Sequence, residues 1–213
     1  MLSAAVILPP SVAAIWFGGW AFTAITMLAL VVIVAEWIKM CRQARRPVLL
    51  LAGLAWMVLA AAALLWLRAD AAVGRLNALF LMLVVWATDI GAYVAGRLIG
   101  GPRLAPSISP AKTWAGAGGG LLGAVIIGGL IAFAVQGATA LPRAGATALL
   151  LGVASQVGDL AESGAKRHMG VKDSGRLLPG HGGLLDRVDA LLAAGPVAAL
   201  LAFKAGRGLF LWS

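Results

Sequence analysis

The polar chemistry of this chain is concentrated between residues 159 and 189. Asp159, Glu162, Ser163 and Lys166 recur at i, i+3, i+4 and i+7, the spacing of one helical face. After a turn-rich stretch, Asp186 and Asp189 share another face by their i+3 spacing. Between them lie Lys166, Arg167, Lys172 and Arg176, with Gly180, Gly182 and Gly183 around His181. Carboxylate oxygens without cysteine partners suit a hard cation such as Mg²⁺ rather than zinc. Mg²⁺ keeps positions for water and substrate phosphates, and the neighbouring basic side chains are phosphate partners by charge. Glycines beside His181 let backbone N–H groups come close to an anion. The plainer alternative is that aspartates and arginines neutralise one another at helix ends. That suits Asp189 with Arg187, but not Asp159, which lies about two turns below the loop.

The elements that position these residues are apolar. The chain has 213 residues, 62% hydrophobic and 12% charged, where a soluble domain carries about 25% charged residues. Long apolar runs therefore indicate an all-α, polytopic transmembrane bundle. Six spans are expected, at roughly 12–38, 48–67, 76–98, 115–135, 146–165 and 184–203. Residues 1–11 contain Pro9 and Pro10 and read as a re-entrant or interfacial piece, and the tail after the sixth span as interfacial. One integral-membrane domain covers 1–213, with N-terminal spans in 1–75 and a core in 76–206 that carries the charged motifs.

Carboxylates within helices cost about 2.5–3.5 kcal/mol at mid-membrane on insertion scales, and they usually face the bundle interior. Asp89 in the third span is another such residue, while Glu36 and Asp70 read as ordinary surface charges. The net charge of +9 does not call for a nucleic-acid partner, because basic residues of membrane proteins collect in cytoplasmic loops near anionic lipid. Eleven basic residues fall on the side of the 166–183 loop and five on the other, which puts that loop in the cytoplasm. This orientation calls for an external N-terminus or one further N-terminal crossing. Trp37, Trp66 and Trp212 read as interfacial anchors, and Trp56 and Trp86 as packing residues. Gly116/Gly120 and Gly119/Gly123 allow close helix packing in lipid, and a homodimer through this fourth span is one expectation. The lone Cys41 has neither a disulfide nor a metal-ligand companion.

The run Ser163, Lys166, Arg167, Lys172, Asp173, Pro179, His181, Gly182, Gly183, Asp186, Arg187 and Asp189 resembles the signature of the phosphatidate cytidylyltransferase (CDP-diacylglycerol synthase) family. Pieces around Asp89–Tyr93–Arg97, Ser109–Lys112–Thr113 and Asp159–Glu162 precede it in the family's order, so the likeness covers roughly residues 86–190. Ala111 stands where members often have a second lysine, and Ala165 where they often have a larger apolar residue. The chain is short for the family, and N-terminal spans are the expected difference.

The resemblance implies a cell (inner) membrane enzyme that joins CTP and phosphatidate into CDP-diacylglycerol and pyrophosphate, with its site facing the cytoplasm. It implies Mg²⁺ as cofactor, held by Asp159 and Asp186, with a second cation left open. Lys166 joins these two as a catalytic residue. Arg167, Lys172 and Arg176 would neutralise phosphates, with Ser109, Lys112 and Thr113 forming another wall of the same site. Ser163, Asp173, His181, Gly182 and Gly183 occupy matching signature positions. Asp189 with Arg187 is assigned to the second shell or the cytidine side, and Asp89 and Tyr93 are further candidates. Two rivals remain: a CTP-dependent polyprenol or lipid kinase, and an ion transporter with intramembrane carboxylates.

Overall fold

The computed structural model describes residues 2–175 and 182–213. Among them run α1 (Leu2–Phe17), α2 (Gly19–Gln43), α3 (Pro47–Ala69) and α4 (Gly74–Leu98). A short hairpin follows, β1 (Arg103–Ala105) and β2 (Ser109–Thr113), then α5 (Trp114–Gln136), α6 (Leu141–His168) and α7 (Leu185–Ala205). Six of the helices, α2 to α7, are long and apolar enough to cross a membrane. The protein is thus an all-α, multi-pass bundle, in which lipid obliges each span to satisfy its own backbone polar groups.

The N-terminal region departs from expectation. The span expected over 12–38 is interrupted at Gly18 and Gly19, both with positive φ, and residues before the break form a separate helix containing Pro9 and Pro10. Gly18 is required there by its φ of 66° and ψ of −149°, and a Cβ would also press on the Arg68 guanidinium, whose Nε donates to the Ile15 carbonyl at 2.7 Å.

The glycine run of α5 packs within the chain. A Cβ on Gly91 would sit 2.5 Å from the Gly119 carbonyl oxygen, and one on Gly120 would sit 2.7 Å from that of Thr88. The face expected to carry a homodimer is therefore covered by α4. Close approach also brings the hairpin to the site: Thr113 ends β2 and caps α5, its hydroxyl accepting from Gly116 N–H at 3.0 Å. Arg103 pairs with Thr113, and Ala105 with Ser109.

The C-terminal tail packs on the bundle rather than extending from it. It folds back under the bundle, where Trp212 is 2% exposed and packs 4.5 Å from the Phe80 ring and 4.7 Å from Phe210. Trp212 Nε1 donates to Gln136 Oε1 at 2.6 Å. Buried Asn77 holds the same tail, accepting from Leu211 N–H at 3.0 Å and donating to the Leu209 carbonyl at 3.4 Å. Asp70, expected to be an ordinary surface charge, accepts from the N–H groups of Gly208, Ala72 and Val73. Trp37 is buried as well, donating to the Leu49 and Leu50 carbonyls, so it ties α2 to α3. Trp66 and Trp56 are each a little under half exposed, so Trp56 packs with only part of its indole.

Two outcomes follow from the tail. Trp212→Ala should lower stability by about 3 kcal/mol, the usual cost of deleting a buried aromatic side chain, as read by thermal unfolding in detergent. Backbone donors, Gly208 first, hold the Asp70 carboxyl below its ordinary value. Its contribution is therefore full above the unfolded value and lost as pH falls through the depressed folded one. The stability gap between wild type and Asp70→Asn should be open at neutral pH and close in acid.

Candidate active site

Three connections meet at one end of the bundle: the α2–α3 turn, the hairpin between α4 and α5, and the segment joining α6 to α7. They are cross-linked there, with Arg167 Nε donating to the Ile108 carbonyl of the hairpin at 3.2 Å. Glu36 of α2 meets the start of α7. Polar groups that the sequence spreads over 150 residues are thereby gathered at one end of an apolar body.

A cleft of about 510 Å³ opens between α4, the hairpin, α5 and α6. Asp89, Tyr93, Ser109, Lys112, Thr113 and Asp159 line it together. Lys112 Nζ lies 2.6 Å from Asp159 Oδ2, and both side chains keep about 30% exposure, so this pair is reachable from solvent. Ser163 Oγ donates to the other Asp159 oxygen at 3.4 Å. Arg97 and Gln156 also line the cleft. Gln156 Nε2 donates to the Ala117 carbonyl at 3.0 Å, fastening α6 to α5 beside Asp159. Its spacing of three from Asp159 was the available signal, but an uncharged side chain in an apolar run draws little notice.

The second cluster is more enclosed. Lys166 Nζ lies 2.6 Å from Glu162 Oε2 and 2.6 Å from Asp186 Oδ1, with all three side chains about 10% exposed. Glu162 Oε1 is buried with no hydrogen-bond partner among the described residues. Asp186 has more: its Oδ2 accepts from the N–H groups of Gly183 at 2.8 Å and Ser174 at 3.0 Å. Gly182 and Gly183 bear on this directly. A Cβ on Gly182 would fall 2.6 Å from Asp186 Oδ2, and one on Gly183 would collide with the Ser174 hydroxyl and both Glu36 oxygens. Their lack of a side chain serves carboxylates already present, and Gly183 N–H is engaged by Asp186.

Glu36 is not an ordinary surface charge. Its Oε1 accepts from Leu184 N–H at 3.0 Å, and its Oε2 from Leu185 N–H at 2.9 Å and Ser174 Oγ at 3.1 Å. It caps α7 from another helix, a placement for which a carboxylate is well suited. No local signal could have shown this, because its partners lie more than 130 residues away.

The remaining candidates are distributed around these clusters. Arg167 is exposed and donates to the Ile108 and Val171 carbonyls. Lys172 and Asp173 are exposed in the loop, and Arg187 is exposed on the first turn of α7. Asp189 is half-buried, with Oδ1 accepting from Ala190 N–H at 2.8 Å. Arg176 and His181 lie outside the described residues. Asp159 and Asp186 do not line one cleft: Asp159 faces the open one, and Asp186 is enclosed with Lys166. Among the described residues, no three His, Cys, Asp or Glu side chains converge as a metal cage.

Comparison with known proteins supplies the frame for this geometry. The model of the cytidylyltransferase family matches residues 47–204. The chain is similar to the phosphatidate cytidylyltransferase of Brucella suis biovar 1, 55% identical over 152 residues, covering 70% of this chain and 54% of that protein. It is also similar to the enzyme of that name from Staphylococcus saprophyticus, 49% identical over 123 residues, covering 58% of this chain and 47% of that protein. The chain spans about half the length of the curated relatives it matches.

Lys166→Met tests the enclosed cluster. Removing the cation leaves Glu162 and Asp186 facing one another with little water, and breaking a buried pair costs about 3–5 kcal/mol. Thermal unfolding should show a loss of that order, and adding Glu162→Gln should restore part of it.

Proposed function

The chain belongs to the cytidylyltransferase family, and on that premise we propose that it transfers the cytidylyl group of CTP to phosphatidate. The products are CDP-diacylglycerol and pyrophosphate. The observation that carries this reading is the meeting of Lys166 with Asp186, two signature residues 20 positions apart, beside a cleft holding Lys112 and Asp159. The excess of basic residues in the loops at this end supports a site on the cytoplasmic face of the cell membrane. Such a position lets one site receive a soluble nucleotide and a lipid headgroup.

In the reaction, a phosphate oxygen of phosphatidate attacks the α-phosphorus of CTP. A phosphorus–oxygen bond forms, the bond from the α-phosphorus to the bridging oxygen breaks, and pyrophosphate departs. The attacking oxygen is already anionic near neutral pH, so a strong base is unnecessary. The barrier is electrostatic, since two polyanions must approach and a third must leave. Lys112, at the mouth of the cleft, would neutralise nucleotide phosphates, with Thr113 and Ser109 offering hydroxyl donors beside it. Arg97 adds a guanidinium to the same cleft. Asp159 holds Lys112 in place until phosphate competes for it.

The donor set fits a hard divalent cation. Asp159, Glu162 and Asp186 offer only oxygen, and Glu162 Oε1 is a buried carboxylate oxygen without a hydrogen bond. Asp159 in the open cleft would hold Mg²⁺ beside substrate phosphates, for which one or two carboxylates suffice, and Asp186 would join it only by exchanging Lys166 for the ion. When bound, the ion offsets phosphate charge and stabilises the leaving pyrophosphate.

The test is CTP turnover in phosphatidate-containing micelles, with and without Mg²⁺. Wild type should form CDP-diacylglycerol only with Mg²⁺, and Asp159→Asn and Asp186→Asn should each reduce the rate by about a hundredfold or more. A phosphorylated lipid with CDP as co-product would point instead to a lipid kinase. No nucleotide transfer by well-folded wild type would remove the enzyme reading and favour ion transport.

A further inference from the structure

Glu36 lies outside the residues the family model matches, yet it touches the signature loop at three points. We propose that Glu36 is a positioning residue, a carboxylate on α2 that clamps both ends of the 174–185 segment and so fixes Asp186. The proposal rests on the cytidylyl-transfer reading, because it assigns Glu36 a part in that reaction.

Ser174 is the shared node. Its N–H donates to Asp186 and its hydroxyl to Glu36, while Gly183 N–H donates to Asp186 and the next two N–H groups to Glu36. Two carboxylates from different helices therefore bind the same two strands of backbone, and neither can shift without the other. Glu36 also occupies donors at the N-terminus of α7 that would otherwise attract a phosphate. Phosphate recognition is thereby left to side-chain cations, and Asp186 keeps one orientation toward Lys166.

The clamp is useful only if α2 is held in rotation about its axis, and the neighbouring residue does that. Trp37 Nε1 reaches the Leu49 and Leu50 carbonyls at 3.3 Å each, and its indole fills the space that Gly53 leaves open. One turn further, Cys41 Sγ lies 3.6 Å from Met169 Sδ, at the point where the loop leaves α6. The loop is thus held by α2 at its start and near its end. Gly175 and Gly183 complete the fit, since a Cβ on Gly175 would lie 2.7 Å from Glu36 Oε1.

The experiment compares wild type, Glu36→Ala, Glu36→Gln, Ser174→Ala and the Glu36→Ala/Ser174→Ala double variant in phosphatidate micelles. Hydrogen exchange of the peptide covering 182–190 is followed on the same samples. Glu36→Ala should lower kcat about tenfold and raise the Mg²⁺ concentration for half-maximal rate, with KM for phosphatidate unchanged. Exchange at Leu184 and Leu185 should accelerate in parallel. Glu36→Gln keeps one carbonyl acceptor, so it should lose only a few-fold and carries the test if the alanine variant fails to fold. Ser174→Ala should slow wild type but cost nothing further in the Glu36→Ala background. Wild-type kcat and wild-type exchange in Glu36→Ala would overturn the proposal, as would a rate loss matched entirely by loss of folded protein. Inactive wild type would instead remove the cytidylyl-transfer reading and the positioning role with it, while exchange still reports whether the clamp exists.

Discussion

The pairing of Lys166 with Glu162 and Asp186 is the constraint on which this architecture turns. Three charges with little access to water cannot be left apart, since each unpaired one would cost several kcal/mol in so apolar a body. Glu162 and Lys166 share a face of α6 one turn apart, but Asp186 comes from α7, so the cluster fixes the register of the two helices. A slip of one residue would rotate Asp186 away and leave its carboxylate without the ammonium. Gly158 permits the required closeness, because a Cβ there would collide with that of Ala193.

The same logic extends outward through shared partners. Asp186 is tied to Ser174 and Gly183, these are tied to Glu36, and Glu36 is carried by a helix locked at Trp37. On the other side, Asp159 is bound to Lys112, which the hairpin presents from the α4–α5 pair. The glycine contacts between α4 and α5 keep that hairpin near α6. Two open-ended requirements, a dry set of charges and an accessible cleft, are thus met by adjacent turns of one helix.

Much of this was legible in the sequence because charge is rare in it. Eight acidic residues in 213 could each be weighed, and spacing alone placed Asp159, Glu162 and Lys166 on one face. Five spans followed from apolar runs with edges shifted by only a few residues. Glu36 and Asp70 were misread for a common reason: Glu36 binds the N–H groups of Leu184 and Leu185, and Asp70 that of Gly208, more than 130 residues away, and backbone donors leave no trace in residue type. Trp212 was misread because an aromatic near a helix end looks the same whether it faces headgroups or folds inward. The helix break at Gly18–Gly19 was hidden in an unbroken apolar run. The hairpin was hidden as well, since β2 holds Pro110, Pro102 and Pro106 flank β1, and each strand has only a few residues.

The central claim is that this end of the bundle moves the α-phosphoryl unit of CTP, with its nucleoside, onto a lipid phosphate. Parallel reactions of wild type with CTP labelled at the α- or the γ-phosphorus, in phosphatidate micelles with Mg²⁺, test it most directly. The account predicts α-label in the lipid phase and γ-label in free pyrophosphate. Label from the γ-position in the lipid, or none from either, would contradict it.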